Sequence, residues 1–207
     1  MDTANNQAPP QAPLVQITNQ QLTDQDLEIY IQEGLFHPGI TEVELPSNQI
    51  TAVGLRTLLD SPIEFLQVLS LYDNQIGDVG AQVIANSEKL AGVMRLDVAY
   101  NAISIEGITA LFGQGSSLTG PVWINLAGNR FGDEGLTIIL NSNSISTLNG
   151  LVLRRTGLTD SSAIALSQTS SWQNLQYLDL SGNLFTESGR NMIMQNPSLH
   201  GVEVVFE

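Results

Sequence analysis

Cysteine is absent from this 207-residue chain. Disulfide staples, thiolate metal sites and cysteine nucleophiles are absent with it, and a reducing, intracellular setting is the expectation. N-glycosylation acceptors are missing as well: Asn196-Pro197-Ser198 has the spacing, but its proline disqualifies it. No run reaches the ~18 apolar residues of a membrane helix, and the opening stretch MDTANNQAPPQAP has neither the basic region nor the apolar centre of a secretory signal. Basic residues are scarce, 7 against 21 acidic, for a net charge of −14. Such a charge repels phosphate backbones and anionic lipid, so neither nucleic acid nor membrane is an expected partner. A basic protein surface is one, unless the charge serves solubility alone. Lys89 is the sole lysine.

The usual catalytic constellations are missing too. The two histidines, His37 and His200, lie near opposite ends of the chain. No H-E-x-x-H, P-loop or nucleophile elbow occurs, and Gly113-x-Gly115 is too short for a dinucleotide loop and follows a helical stretch. No cofactor, no metal and no catalytic residue is expected.

What the chain has is a repeat. LQVLSLYDNQIGDVGAQVIA, from Leu66, has the form L-x-x-L-x-L-x-x-N-x-I-x-x-x-G-A-x-x-I. Its asparagine recurs at Asn48, Asn74, Asn101, Asn129 and Asn183, with Thr156 taking the slot once; the intervals are 26, 27, 28, 27 and 27 residues. Gln20 marks a degenerate earlier copy 28 residues before Asn48, and Val202/Val204 a last strand with Glu207 in the turn slot. The pairs Val43/Leu45, Leu69/Leu71, Leu96/Val98, Ile124/Leu126, Leu151/Leu153 and Leu178/Leu180 alternate as a strand with one buried face does. The asparagine follows, where a short amide can bond the backbone of a turn. Then the period changes to i, i+3, i+4, as in Leu55/Leu58/Leu59 and Ile108/Leu111/Phe112, one stripe of an amphipathic helix. Thr51, Ser104, Thr159 and Thr186 stand at the N-cap position, and Asp78 and Asp133 place negative charge at a helix start. Gly54, Gly80, Gly107, Gly135 and Gly189 fall six residues after the turn slot, where a missing side chain lets a helix approach its neighbour.

This pattern resembles the ribonuclease-inhibitor-like class of leucine-rich repeats. The resemblance implies an α/β horseshoe solenoid of about seven repeats, with a parallel sheet on the concave face and helices on the convex one. The expected organisation is a flexible lead-in over 1–13 and a repeat domain over 14–207. Within it, 14–39 form an atypical first repeat and cap, and 199–207 the terminal strand. The apolar edge VEVVF (Val202–Phe206) could pair with another copy to give a homodimer.

The same resemblance turns three rows of strand residues into the concavity. Six before the turn slot stand Glu42, Val68, Arg95, Trp123, Gly150 and Tyr177; four before, Glu44, Ser70, Asp97, Asn125, Val152 and Asp179; two before, Pro46, Tyr72, Ala99, Ala127, Arg154 and Ser181. Tyr72, Arg95, Asp97, Trp123, Asn125, Arg154, Tyr177 and Asp179 are the candidate partner-binding residues, with Tyr100 and Arg155 at the adjoining rim. Trp, Tyr and Arg are the types enriched at binding hot spots. Trp123 either meets a partner or lies over Arg95 or Gly150 as local packing; Asp97 and Asp179 either contact a partner or pair sideways with arginines. Arg154-Arg155 coincides with the loss of asparagine at Thr156, a functional interruption or a decayed repeat. The expected function is non-enzymatic binding of a protein partner, by a cytoplasmic protein or a bacterial effector translocated into a host cell. A Ran-GTPase-activator-like regulator and a self-associating repeat are the alternatives.

Overall fold

Each copy of the repeat folds into a three-residue strand, a turn and a helix of eight or nine residues. The computed structural model describes residues 14–170 and 172–207, and the expected lead-in lies outside them. The strands are β1 Leu14–Gln16, β2 Glu42–Glu44, β3 Val68–Ser70, β4 Arg95–Asp97, β5 Trp123–Asn125, β6 Gly150–Val152, β7 Tyr177–Asp179 and β8 Glu203–Val205. Between them run α1 Asp24–Gln32, α2 Ala52–Asp60, α3 Gly77–Ala85, α4 Ile105–Phe112, α5 Gly132–Leu140, α6 Asp160–Gln168 and α7 Glu187–Met194. None of these helices is long and apolar enough to cross a membrane.

The eight strands form one parallel sheet in sequence order, an α/β solenoid of strand–helix repeats. Every alternating strand pair named above is buried, and these residues join the helix stripes in one continuous core. Strands stack ~4.8 Å apart whereas packed helices need 8–10 Å, so the array must curve with its sheet on the inner side.

The last strand corrects an expectation. Leu178 pairs with Val204, not Val202, and Phe206, just past β8, joins Val202 and Val204 in packing against the core. Phe206 gains an edge-on contact with Phe185 (6.3 Å between centroids) and the guanidinium of Arg190 over its ring. The register shift keeps the same face inward while bringing a large aromatic into the core. Glu207 then bonds Arg190 (3.4 Å) instead of filling a turn slot.

The asparagines tie neighbouring turns together. Asn129 donates from Nδ2 to Val98 O (2.9 Å) in the preceding repeat and to Leu126 O (3.1 Å) in its own, while its Oδ1 accepts the N–H groups of Asn101 and Ile103. Asn48, Asn74, Asn101 and Asn183 repeat this scheme. The Thr156 hydroxyl donates to its own Leu153 carbonyl (2.7 Å) and more weakly to Asn183 Oδ1 (3.4 Å) in the next repeat, and reaches nothing in the preceding one. Here the amide N–H of Asn129 folds back on Leu126 O, and α5 and α6 are the loosest adjacent pair in the helix layer. Thr156→Asn is therefore expected to stabilise the fold by about 0.5–1 kcal/mol, a melting-temperature rise of about 2 °C. A thermal melt showing no gain would detach the loose junction from the missing amide.

A second ladder runs along the helix starts. The N-caps Thr51, Ser104, Thr159 and Thr186 hold their own helices as expected. Each is also gripped through its N–H and hydroxyl by an aspartate of the preceding repeat: Asp24, Asp78, Asp133 and Asp160. Where that aspartate slot holds Ala52 or Ile105, the following cap slot holds a left-handed glycine, Gly77 or Gly132. Their N–H groups donate instead to the next turn's backbone, at Asn101 O and Thr156 O. The glycines at the sixth position divide likewise. A Cβ on Gly54, Gly107 or Gly189 would strike the neighbour's aspartate, as expected of a close approach. One on Gly80 or Gly135 would strike Ile76 or Phe131 of its own repeat, a correction to the inter-repeat reading.

Candidate functional site

The in-register pairing lays the three concave rows side by side, so each candidate residue has its row neighbours one strand away. Tyr72, Arg95, Arg154 and Arg155 are exposed, and Asp97, Tyr100, Trp123, Asn125, Tyr177 and Asp179 are half-buried. Several small row members, Ser70, Ala99, Ala127, Gly150 and Ser181, are buried instead of lining open space.

The aromatics separate into two pairs. On the row where the strands begin, Trp123 and Tyr177 stack with centroids 5.3 Å apart and planes 20° from parallel. They meet over Gly150, whose missing side chain makes room: a Cβ there would collide with the indole ring of Trp123. Packing over Gly150 and exposure to a partner therefore coexist at Trp123. Burial, then the negative charges of Asp179 and Glu203, hold the Tyr177 hydroxyl above the usual phenol range. On the opposite edge, four residues or roughly 13 Å along the strands, Tyr72 meets Tyr100 edge-on at 5.4 Å and 69°.

The row between them is largely occupied by its own backbone. Asp97, Asn125 and Asp179 each accept the N–H two residues on, from Ala99 (3.1 Å), Ala127 (3.1 Å) and Ser181 (2.8 Å). These are side-chain-closed turns of the kind short acidic and amide residues make. Asn125 also donates to Asp97 (3.1 Å). The sideways pairing with arginine is thus corrected: Arg95 forms an ion pair with Glu44 (3.7 Å), two strands away, that is still open to solvent on the arginine side. Such a pair contributes only ~0–1 kcal/mol. Burial lifts the Asp97 carboxyl above the ordinary aspartate range, against the Ala99 N–H, Asn125 and the charge of Arg95. Glu44 adds to the rise.

One feature of the rim escaped the sequence reading. The residue before each turn slot adopts a left-handed backbone: Asn19, Ser47, Asp73, Tyr100, Gly128, Arg155 and Gly182. Tyr100 (φ 54°) and Arg155 (φ 56°) do so despite their bulk, at a cost of about 1–2 kcal/mol each. Each faces a glycine of the next repeat: a Cβ on Gly128 would strike the Tyr100 ring, and one on Gly182 would come within 2.7 Å of Arg155 Cγ. The glycines at 128 and 182 were the available signal. Arg130 joins this rim, beside an opening of about 530 Å³ shared with Asp73, Tyr100 and Gly128. Among the described residues no group of three or more His, Asp or Glu side chains could hold a metal ion.

Two family models, both described as leucine-rich repeat, match the chain, one over residues 64–85 and 124–139 and the other over 174–196. No curated protein matches it. These matches suggest a protein-interaction module.

Proposed function

We propose that this leucine-rich-repeat solenoid is a non-enzymatic recognition module that seats a protein partner on its concave sheet face, with Trp123 and Tyr177 as the principal contact. The observation that carries the reading is the stacked, half-buried ring pair. It offers a large rigid surface at little further entropic cost, because Gly150 and the stack have already fixed both side chains. Glu42 on β2 and Glu203 on β8 stand on the same row toward its two ends, which favours basic groups on the partner there. Neither a GTPase-regulator role nor an effector role gains support from a particular residue of this face, so neither is proposed.

Affinity capture with mass spectrometry would supply the partner, and titration would test the face. The Trp123→Ala/Tyr177→Ala variant is expected to bind at least about tenfold more weakly, a loss of ~1.4 kcal/mol or more. A control on the convex helices, Val53→Ser/Val79→Ser, is expected to bind unchanged, although both residues are well exposed (68% and 54%). Equal affinity for wild type and the aromatic double variant would remove the concave face from consideration.

A further inference from the structure

The chain has seven cations, and the structure distributes them unevenly. Arg95 bonds Glu44, Arg190 bonds Glu207, and Lys89 donates to the Ser61 carbonyl (2.6 Å). Arg56 stands on α2, beside a convex groove that also holds Asp60 and Glu64. The remaining three, Arg130, Arg154 and Arg155, share one rim of the sheet, on the loops that follow β5 and β6. All three are exposed and make no ion pair among the described residues.

Their loops are bonded to each other and to the next. Gly128 N donates to Arg154 O (2.8 Å), Gly132 N to Thr156 O (3.0 Å) and Arg155 N to Ser181 O (3.0 Å). Arg155 is fixed further by its left-handed backbone and by the space that Gly182 leaves for its stem. Tyr72 and Tyr100 flank the group on one side and exposed Leu184 (68%) on the other. Of the nearby carboxylates, Asp133 and Asp160 are spent on the caps of Thr159 and Thr186, and exposed Asp73, which shares the opening beside Arg130, makes no ion pair with the three arginines. The rim is thus a cationic, partly aromatic ledge in a chain of net charge −14.

We infer that this ledge binds an acidic peptide segment of the protein partner, its carboxylates meeting Arg154, Arg155 and Arg130 while an apolar or aromatic neighbour lies on Tyr72 and Tyr100. Guanidinium forks match carboxylates two bonds at a time. Nucleic acid is disfavoured as the occupant because its backbone carries a charge at every nucleotide and binding it takes many cationic contacts, whereas three clustered arginines suffice for a short acidic segment. The inference rests on the concave-face reading and adds to it: the trough meets basic groups where its strands begin and acidic ones where they end, which fixes the direction in which a partner can lie.

The test titrates the full chain, at low ionic strength, with hexaglutamate, hexalysine and hexauridylate, reading the arginine side-chain N–H signals by NMR. Hexaglutamate is expected to shift Arg130, Arg154 and Arg155 saturably while leaving Arg56 in place. Arg154→Ser/Arg155→Gly copies the Ser181-Gly182 pair of the next repeat and suits the left-handed backbone, so it preserves the fold. It is expected to weaken hexaglutamate binding by about tenfold. The Trp123→Ala/Tyr177→Ala variant should keep the hexaglutamate response, which separates failure of this ledge from failure of the aromatic face. An equal shift at Arg56, tighter binding of hexauridylate or hexalysine, or an unweakened Arg154→Ser/Arg155→Gly variant would each overturn the assignment.

Discussion

Replacing Asn129 with alanine is expected to destabilise the protein by about 3–5 kcal/mol and to lower its melting temperature by roughly 10 °C. The side chain is fully buried, with 0% exposure, at the middle of the stack. Its loss strips the N–H groups of Asn101 and Ile103 and the Val98 carbonyl of a partner in a place water does not reach. Each orphaned buried group costs about 1–3 kcal/mol. Asn183 supplies the comparison. It accepts the N–H groups of Thr156, Gly157 and Leu158 and donates to the carbonyls of Leu153 and Leu180, so it makes as many bonds. It is only half-buried, however, so water can replace the amide there. Asn183→Ala should cost about 1–2 kcal/mol. Denaturant titration of both variants decides the matter: if Asn183→Ala costs as much as Asn129→Ala, bond number and not burial sets the strength of the ladder.

That ladder also shows how far the sequence could be read. The strand pairs, the turn slot and the helix stripes follow from a period of two changing to a period of 3.6, and both periods are local. Thr51, Ser104, Thr159 and Thr186 were legible as caps for the same reason. Their bonds to Asp24, Asp78, Asp133 and Asp160 were not, because each joins residues 26 or 27 apart. Aligning the repeats does show the rule afterwards: aspartate is followed by a threonine or serine one repeat on, and its absence by glycine. The terminal strand was misplaced by two residues because VEVVF alternates equally well in either register. Only the fit of Phe206 against Phe185 and Arg190 selects one.

For the concave face, row membership could be read and pairing could not. The repeat placed Trp123 and Tyr177 on one row two strands apart, and the glycine between them is what lets the rings meet. A larger residue at 150 would leave two isolated aromatics. On the next row Asp97 and Asp179 read as partner contacts or sideways pairs with arginine, yet a backbone N–H two residues away already claims each of them, as it does Asn125. The arginine rim shows the limit of a whole-chain charge. Its sum of −14 points to a basic partner and hides a local surplus of three guanidinium groups.

The helix-start ladder leads to an expected reversal of sign. Glycine to alanine within a helix ordinarily stabilises it by about 1 kcal/mol, and Gly54 has an ordinary helical backbone in the first turn of α2. Gly54→Ala is nevertheless expected to destabilise the protein by about 2 kcal/mol, because the new methyl would collide with the Asp24 carboxylate. That carboxylate would have to leave the Thr51 N–H (2.9 Å) and hydroxyl (2.6 Å), undoing the tie between the first two repeats. In an Asp24→Ala background the collision is gone and the usual helix preference returns. There the same Gly54→Ala change is expected to be neutral or to stabilise by up to about 1 kcal/mol. A double-mutant cycle over the two sites should therefore give a coupling of about 2–3 kcal/mol, well beyond the few tenths expected of independent positions. Additive effects would show that the glycine serves its own helix alone, and that the aspartate ladder does not dictate where glycine must fall.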